Sequence, residues 1–319
     1  MSVPVLDLAA VAPTALLAAL QQHGAVLVRD ARVPQRTCDA ALADVAAFLA
    51  LPAAAKQALA IARSPHFRGY SEMHNERDWR EQIHFGSERV AVPAEASAHW
   101  RLQGPNLWPD DAAWRQRMLD YLAGVAAVGR AMLGNVAEAL GLRSDAWLGD
   151  DPYLLMKLIG YHAQPQASPP RNGVAAHVDF SLVTLTLQDD VGGLEVQRPD
   201  GSWCAVPCVR GAWLANVGEL LQYVSGNRLV ATPHRVVNPS AARSRHSIPV
   251  FVNPSLATTL RCELPVLATT QSGGAHVHAV LNPSTAPREL PFGPAEWRRK
   301  GENVWCAVCS AKAKRASTR

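Results

Sequence analysis

Apolar and polar positions along this chain change period near residue 153. Before that point apolar residues recur mostly every three or four positions, the spacing of helices with one buried face; after it they alternate or run in short blocks, the spacing of strands. To about residue 60 the pattern predicts strand, helix, strand, helix: a short apolar run Val3 to Asp7, a helix Thr14 to Gln22 closed by His23-Gly24, a buried strand Ala25 to Val28, and a helix Pro34 to Ala50. A turn cluster, Gly104-Pro-Asn-Leu-Trp-Pro109, precedes a long helix opened by Asp110-Asp111 and closed by Gly141. Met118, Leu122, Val125, Met132, Val136 and Leu140 form one apolar stripe along it, the mark of a brace packed on a sheet.

From Tyr153 onward seven segments read as strands: Tyr153 to Tyr161, Leu182 to Gln188, Leu194 to Gln197, Trp203 to Val206, Ala212 to Val217, Leu229 to Ala231 and Ser247 to Val252. Gly192-Gly193, Asp200-Gly201 and Gly226-Asn227 punctuate them as turns. Many short strands rich in Val, Leu and Thr predict an α+β protein with a jelly-roll core of the cupin type, a double-stranded β-helix, with a helical N-terminal region and a bracing helix.

Composition adds limits more than direction. The 319 residues, 48% hydrophobic and 18% charged, describe a globular chain with ample core. A net charge of +4 is slight, and part of it lies in the tail Lys312 to Arg319, which has no aromatic platform beside its charge; no nucleic-acid partner is expected. No apolar run is long enough to span a bilayer, so no membrane partner is expected. Ala15 to Leu20 has no basic stretch before it, which sets an export signal aside and makes the cytoplasm the expected compartment. The six cysteines are scattered; Cys306 and Cys309 have C-x-x-C spacing without a second pair to complete a zinc site.

The chemistry lies in His177, Asp179 and His234. A His-x-Asp unit with a second His 57 positions on has the composition of a facial triad for non-haem Fe(II), which leaves the opposite coordination positions open. Calcium or magnesium would favour all-oxygen ligands, and structural zinc sites close with four protein ligands, often thiolates. At a strand end His177 and Asp179 face one side while Val178 turns away, so His234 must come from a strand paired nearby. Arg245 and Ser247, also alternate positions on a strand, offer a guanidinium and a hydroxyl to a carboxylate, and the Tyr161 phenol can reach the same group. Together these three suit the far end of a dicarboxylate whose 2-oxo acid end chelates iron.

These residues sit among further motifs: Val3-Pro-Val-Leu-Asp7, Gly104-Pro-Asn-Leu-Trp-Pro109, Leu187-Gln-Asp-Asp-Val-Gly-Gly-Leu-Glu-Val196, Gly201-Ser-Trp203, Asn216-Val-Gly218-Glu219 and His234-Arg-Val236. In this order they resemble the Fe(II)/2-oxoglutarate-dependent oxygenases of the isopenicillin N synthase-like superfamily across nearly the whole chain. The resemblance implies one oxygenase unit over residues 1–319, with an N-terminal mixed region 1–150, a jelly-roll core 151–260 and a C-terminal extension 261–319. It implies Fe(II), 2-oxoglutarate and O2, release of succinate and CO2, and hydroxylation, desaturation or cyclisation of a small metabolite. Ring-closing oxidases that do not use 2-oxoglutarate, ethylene-forming enzymes that fragment it, and a non-catalytic binding module are the alternatives. The chain departs from the family in having Ile159 where an Asn precedes Tyr161, Glu219 for an Asp, and no match after residue 290.

The substrate signal is thinner. His66 to Phe85 mixes basic and acidic residues, which fits a solvated surface with internal ion pairs. It fits equally a pocket mouth in which Arg68, with Tyr70 and His84, meets an anionic group on the substrate; Phe180, directly after the triad's Asp179, is a further substrate contact.

Overall fold

The computed structural model describes residues 2–93, 96–163, 172–237, 243–268 and 289–293. In chain order its elements are β1 (Val5–Asp7), α1 (Pro13–His23), β2 (Ala25–Arg29), α2 (Gln35–Leu49), α3 (Ala53–Ala58), β3 (Gly69–His74), β4 (Trp79–Gly86), α4 (Ala112–Ala139), α5 (Asp145–Leu148), β5 (Leu154–Tyr161), β6 (Asn172–His177), β7 (Val183–Gln188), β8 (Leu194–Gln197), β9 (Trp203–Ala205), β10 (Trp213–Val217), α6 (Glu219–Val224), β11 (His234–Val237), β12 (Arg245–Val252), β13 (Thr259–Arg261) and β14 (Glu289–Pro291).

Eight strands form a major sheet in the order β1-β2-β10-β7-β12-β5-β4-β3, and four form a minor sheet in the order β6-β11-β8-β9. Consecutive strands that alternate between two sheets are the jelly-roll signature. The sheets also meet along one side, where the Ala175 N–H donates to the Arg77 carbonyl oxygen at 2.8 Å.

Period-two alternation divides the major sheet into two unlike faces. Ile83 and Phe85, Met156 and Leu158, Val183 and Leu185, Trp213 and Ala215, and Ile248 and Val250 are buried in one apolar core with α2 and α4. The predicted stripe of α4 forms that contact, and Gly129 lets the helix come close: a Cβ there would lie 2.7 Å from a Val252 methyl. Asp111 caps α4 by accepting the Trp114 N–H at 2.8 Å. The opposite, concave face carries Gln82 and His84, Lys157, Ile159 and Tyr161, Thr184 and Gln188, Asn216, and Arg245 and Ser247. Polar groups lining a concave sheet point to a ligand.

Helices and strands follow the sequence pattern closely, and the turn residues Gly192, Gly193, Gly201, Gly226 and Asn227 all have positive φ. Leu229 to Ala231 is the exception, since it joins no sheet. The Ala231 N–H donates to the Gln222 side chain and Pro233 has no N–H, so the ladder starts at His234. Among the described residues no helix is long and apolar enough to cross a membrane. Cys306, Cys309 and the basic tail lie outside the described residues.

Candidate metal and co-substrate site

His177 ends β6 and His234 begins β11, and the antiparallel register places them directly opposite each other. Their ring centroids are 4.2 Å apart. Asp179 follows two residues past the end of β6. Its Oδ1 lies 3.8 Å from His177 Nε2 and its Oδ2 3.6 Å from His234 Nε2. The three candidate ligand atoms all fall within 4.8 Å of one another.

Each imidazole is aimed by its second nitrogen. His177 Nδ1 lies 2.9 Å from the Ala175 carbonyl oxygen and His234 Nδ1 3.0 Å from that of Thr232. A carbonyl can only accept, so Nδ1 carries the proton and the Nε2 lone pair faces the centre. Burial, followed by the neighbouring His234, lowers the His177 pKa well below its ordinary value and keeps the ring neutral. Burial alone would raise the pKa of Asp179, but the two imidazoles and hydrogen bonds from Thr184 and Asn216 hold it below the usual carboxylate range. Two imidazoles and a carboxylate fit a borderline divalent metal.

Asn216 joins the candidate site although spacing alone did not single it out: its Nδ2 donates to Asp179 Oδ2 at 2.9 Å. Gly218, two residues on, has to be glycine. A Cβ there would lie 2.0 Å from the Ser181 carbonyl oxygen, in the turn where the Glu219 N–H donates to the Asp179 carbonyl. The Asn-x-Gly motif was the available signal.

The second predicted cluster lies on the concave face of the major sheet, the face from which Asn216 reaches Asp179. Arg245 pairs with Tyr161, and Ser247 with Ile159. The Arg245 guanidinium lies over the Tyr161 ring at 4.8 Å and donates to the Ser247 Oγ at 3.1 Å, the Gln188 Oε1 at 3.0 Å and the Gly192 carbonyl oxygen at 2.7 Å. It is 1% exposed and has no carboxylate within 4 Å among the described residues. A buried cation without a counter-charge is costly, and an anion would relieve it. Gln188 is a further residue that spacing missed; its Nε2 is buried without an acceptor, one strand from Ser247.

A profile of the 2OG-Fe(II) oxygenase superfamily matches residues 151–254, and one described as the N-terminal region of a non-haem dioxygenase in morphine synthesis matches residues 3–111. A 2-oxoglutarate-dependent dioxygenase of Gibberella zeae is 31% identical over 289 residues, covering 80% of this chain and 76% of its own. The chain belongs to the 2OG-Fe(II) oxygenase superfamily. A second relative, the 2-oxoglutarate-dependent dioxygenase frbJ of a Dothideomycetidae species, is 27% identical over 88% of this chain and 80% of its own. Among solved structures, a full-length Neurospora crassa protein in complex with alpha-KG and thymine superposes with a TM-score of 0.76 at 20% identity, covering 94% of this chain and 97% of that one. A putative 2OG-Fe(II) oxygenase family protein of Caulobacter crescentus gives a TM-score of 0.73 at 24% identity, covering 93% and 98%. These likenesses place the fold among the jelly-roll 2OG oxygenases. The chain is accordingly a 2-oxoglutarate-dependent dioxygenase, an oxidoreductase that uses Fe(II) and acts on a small molecule.

The oxygenase does not assemble its expected substrate residues as the sequence suggested. Phe67 has a φ of 56° and Gly69, the first residue of β3, one of 118°, so the alternation expected to put Arg68 and Tyr70 on one face is broken where β3 begins. Arg68 packs over Gly86 and the Tyr153 ring, donating to the carbonyl oxygens of His66 and Leu102 and to the Tyr153 hydroxyl. Tyr70 faces the helices, against Phe48, with its hydroxyl on Glu72 and Glu81. Phe180 is buried in the core near Phe292. His84 alone of the four is on the concave face, half-buried and opposite Lys157. Arg80, on that face too, pairs with Asp78 at 3.4 Å and is close enough for its charge to help lower the His177 pKa.

Proposed function

We propose that His177, Asp179 and His234 hold Fe(II) from one side and that Arg245, Ser247 and Tyr161 hold the distal carboxylate of 2-oxoglutarate. The observation that carries this reading is their placement: a three-ligand cluster on the minor sheet tied by Asn216 to the face of the major sheet that carries an uncompensated, hydrogen-bonded arginine. The bound metal supplies O2 activation, coupling oxidation of the substrate to conversion of 2-oxoglutarate into succinate and CO2. The chain's own residues do the rest. Nδ1 bonds to backbone carbonyls orient both imidazoles, Asn216 fixes the carboxylate, and the buried side chains of Ile159, Val196 and Val236 exclude water around the site. We extend the reading to an anionic small-molecule substrate, since Arg80 and Lys157 bring further positive charge to the same face.

Titration of the anaerobic Fe(II) protein with 2-oxoglutarate tests the assignment. A metal-to-ligand charge-transfer band should grow in, and turnover in air should release succinate. His177→Ala should lose both iron and turnover while remaining folded. No band in the wild type would remove the 2-oxoglutarate assignment, and full iron occupancy in His177→Ala would remove the triad. Turnover without succinate would favour a ring-closing oxidase, and ethylene in the headspace a 2-oxoglutarate-fragmenting enzyme.

A further inference from the structure

A cavity of about 590 Å³ opens on the helix-covered side of the major sheet. Its floor is Leu154 and Val252, which lie opposite each other where β5 begins and β12 ends, with Leu148 beside them. Both strand residues alternate in phase with Met156 and Val250, which are buried in the helix-side core. The sheet therefore separates this groove from Arg245 and Ser247 on its other face. One wall is α4, where Ala123, Ala126, Ala127 and Ala131 recur at helical spacing on one side. Alanines leave open the space that leucines would fill, and from Ala123 to Ala131 they run along about 12 Å of helix. The facing wall includes Ser87, Arg89 and Asp151.

At its inner end the groove narrows beside Arg68. Ser87, Arg89, Asp151 and Leu154 also line a second, much smaller space there, of about 10 Å³, room for one water-sized atom. Arg68 lines this space and is 1% exposed. Its two Nη atoms donate to His66, Leu102 and Tyr153, but its Nε is buried with no acceptor. The charges point the same way. Arg32, Arg68, Arg89 and Arg130 line the two spaces together, against Asp150 and Asp151. Even with Asp30, which pairs with Arg32 from outside the groove, cations outnumber carboxylates by four to three. An orphaned buried donor and a surplus cation at the closed end of an apolar groove fit one anionic oxygen group on an apolar body.

We propose that this groove is a second binding site, separate from the metal and co-substrate site, and that it takes an aliphatic monocarboxylate of about eight to ten carbons, the length of the alanine wall. One carboxylate oxygen enters the narrow end and accepts the Arg68 Nε–H, the other lies toward Arg89, and the chain runs along the alanines over Leu154 and Val252. An alcohol of the same length loses the charge-assisted bonds, and a short acid loses the apolar contact.

Calorimetry on the Fe(II)/2-oxoglutarate-loaded protein would compare octanoate with octanol and with acetate. Octanoate should bind about tenfold more tightly than octanol and about a hundredfold more tightly than acetate. Ala127 is exposed on α4, and leucine, a strong helix former, keeps the fold there. Ala127→Leu should therefore fill the groove and weaken octanoate binding about tenfold, while succinate-forming turnover stays unchanged. Arg89→Gln should abolish the preference for acid over alcohol, and Asp151→Asn, which removes the competing carboxylate, should widen it. His177→Ala should bind octanoate as the wild type does, because the groove makes no use of the metal. Equal binding of octanoate and octanol, undiminished binding in Ala127→Leu, loss of binding in His177→Ala, or no binding of octanoate at millimolar concentration would each overturn the proposal. If octanoate fails to bind and Ala127→Leu instead breaks a dimer seen by sedimentation, a second copy of the chain covers the groove and the proposal falls as well.

Discussion

Arg68 and Arg245 share most of the properties by which a ligand-binding arginine is usually recognised. Each is 1% exposed, each lies over a tyrosine ring, and neither has a carboxylate within 4 Å among the described residues. Their surroundings differ. Arg68 donates to two backbone carbonyls and a hydroxyl from three separate stretches, residues 66, 102 and 153, and fills the space that a side chain at Gly86 would need. Arg245 takes one backbone carbonyl, but its other partners, Ser247 Oγ and Gln188 Oε1, belong to side chains with donors of their own. Arg68 joins chain segments; Arg245 joins side chains that can turn to an anion. On the proposed reading, burial and charge alone do not distinguish a structural pin from a binding group, and the identity of the partners does.

Three substitutions sharpen or break this contrast. The largest effect is expected from Arg68→Ala, which leaves two carbonyls and a hydroxyl unpaired in the interior and opens a void. Loss of about 3 kcal/mol of stability is expected in chemical denaturation; a variant as stable as wild type but impaired in substrate binding would reverse the two roles. Arg245→Ala should instead weaken 2-oxoglutarate binding about tenfold to a hundredfold, from a charge-assisted contribution of about 1.5–3 kcal/mol. Calorimetry against the metal-loaded protein measures this, and an unchanged affinity would defeat the co-substrate assignment. Gln188→Leu removes one of the arginine's partners without touching its charge. About 1 kcal/mol, or roughly fivefold in 2-oxoglutarate affinity, is expected, and an effect as large as that of Arg245→Ala would show that Gln188 has the greater part in the contact.

What could be read from the sequence follows from how local each signal is. The strands and turns from Tyr153 onward depend on period and glycine, both local properties, and most match the structure. His177, Asp179 and His234 were legible because few residue types bind metals and their spacing is distinctive; the need for a strand beside His177 is met by β11. Arg68 and Tyr70 misled because alternation assumes extended backbone, and the positive φ of Phe67 and Gly69 interrupts it just there. Leu229 to Ala231 reads as a strand by composition, yet a side-chain bond to Gln222 takes the Ala231 N–H that a ladder would use. Gln188 and Lys157 could not be singled out without the cross-strand register. An amide in a Leu-Gln-Asp segment and one lysine in an apolar run acquire meaning only from what lies opposite them.

The placement of the three metal-binding side chains has a mechanical consequence. His177 and His234 close one end of a strand pair in the minor sheet, while Asp179 is held by Asn216 from the major sheet. An ion shared by all three would therefore clasp the two layers at one point, joining segments of the chain that are far apart in sequence. Loading the metal and closing the barrel would become one coupled equilibrium. Amide exchange should slow on both β6–β11 and β10 when the metal binds, and should speed up on both together when a chelator removes it.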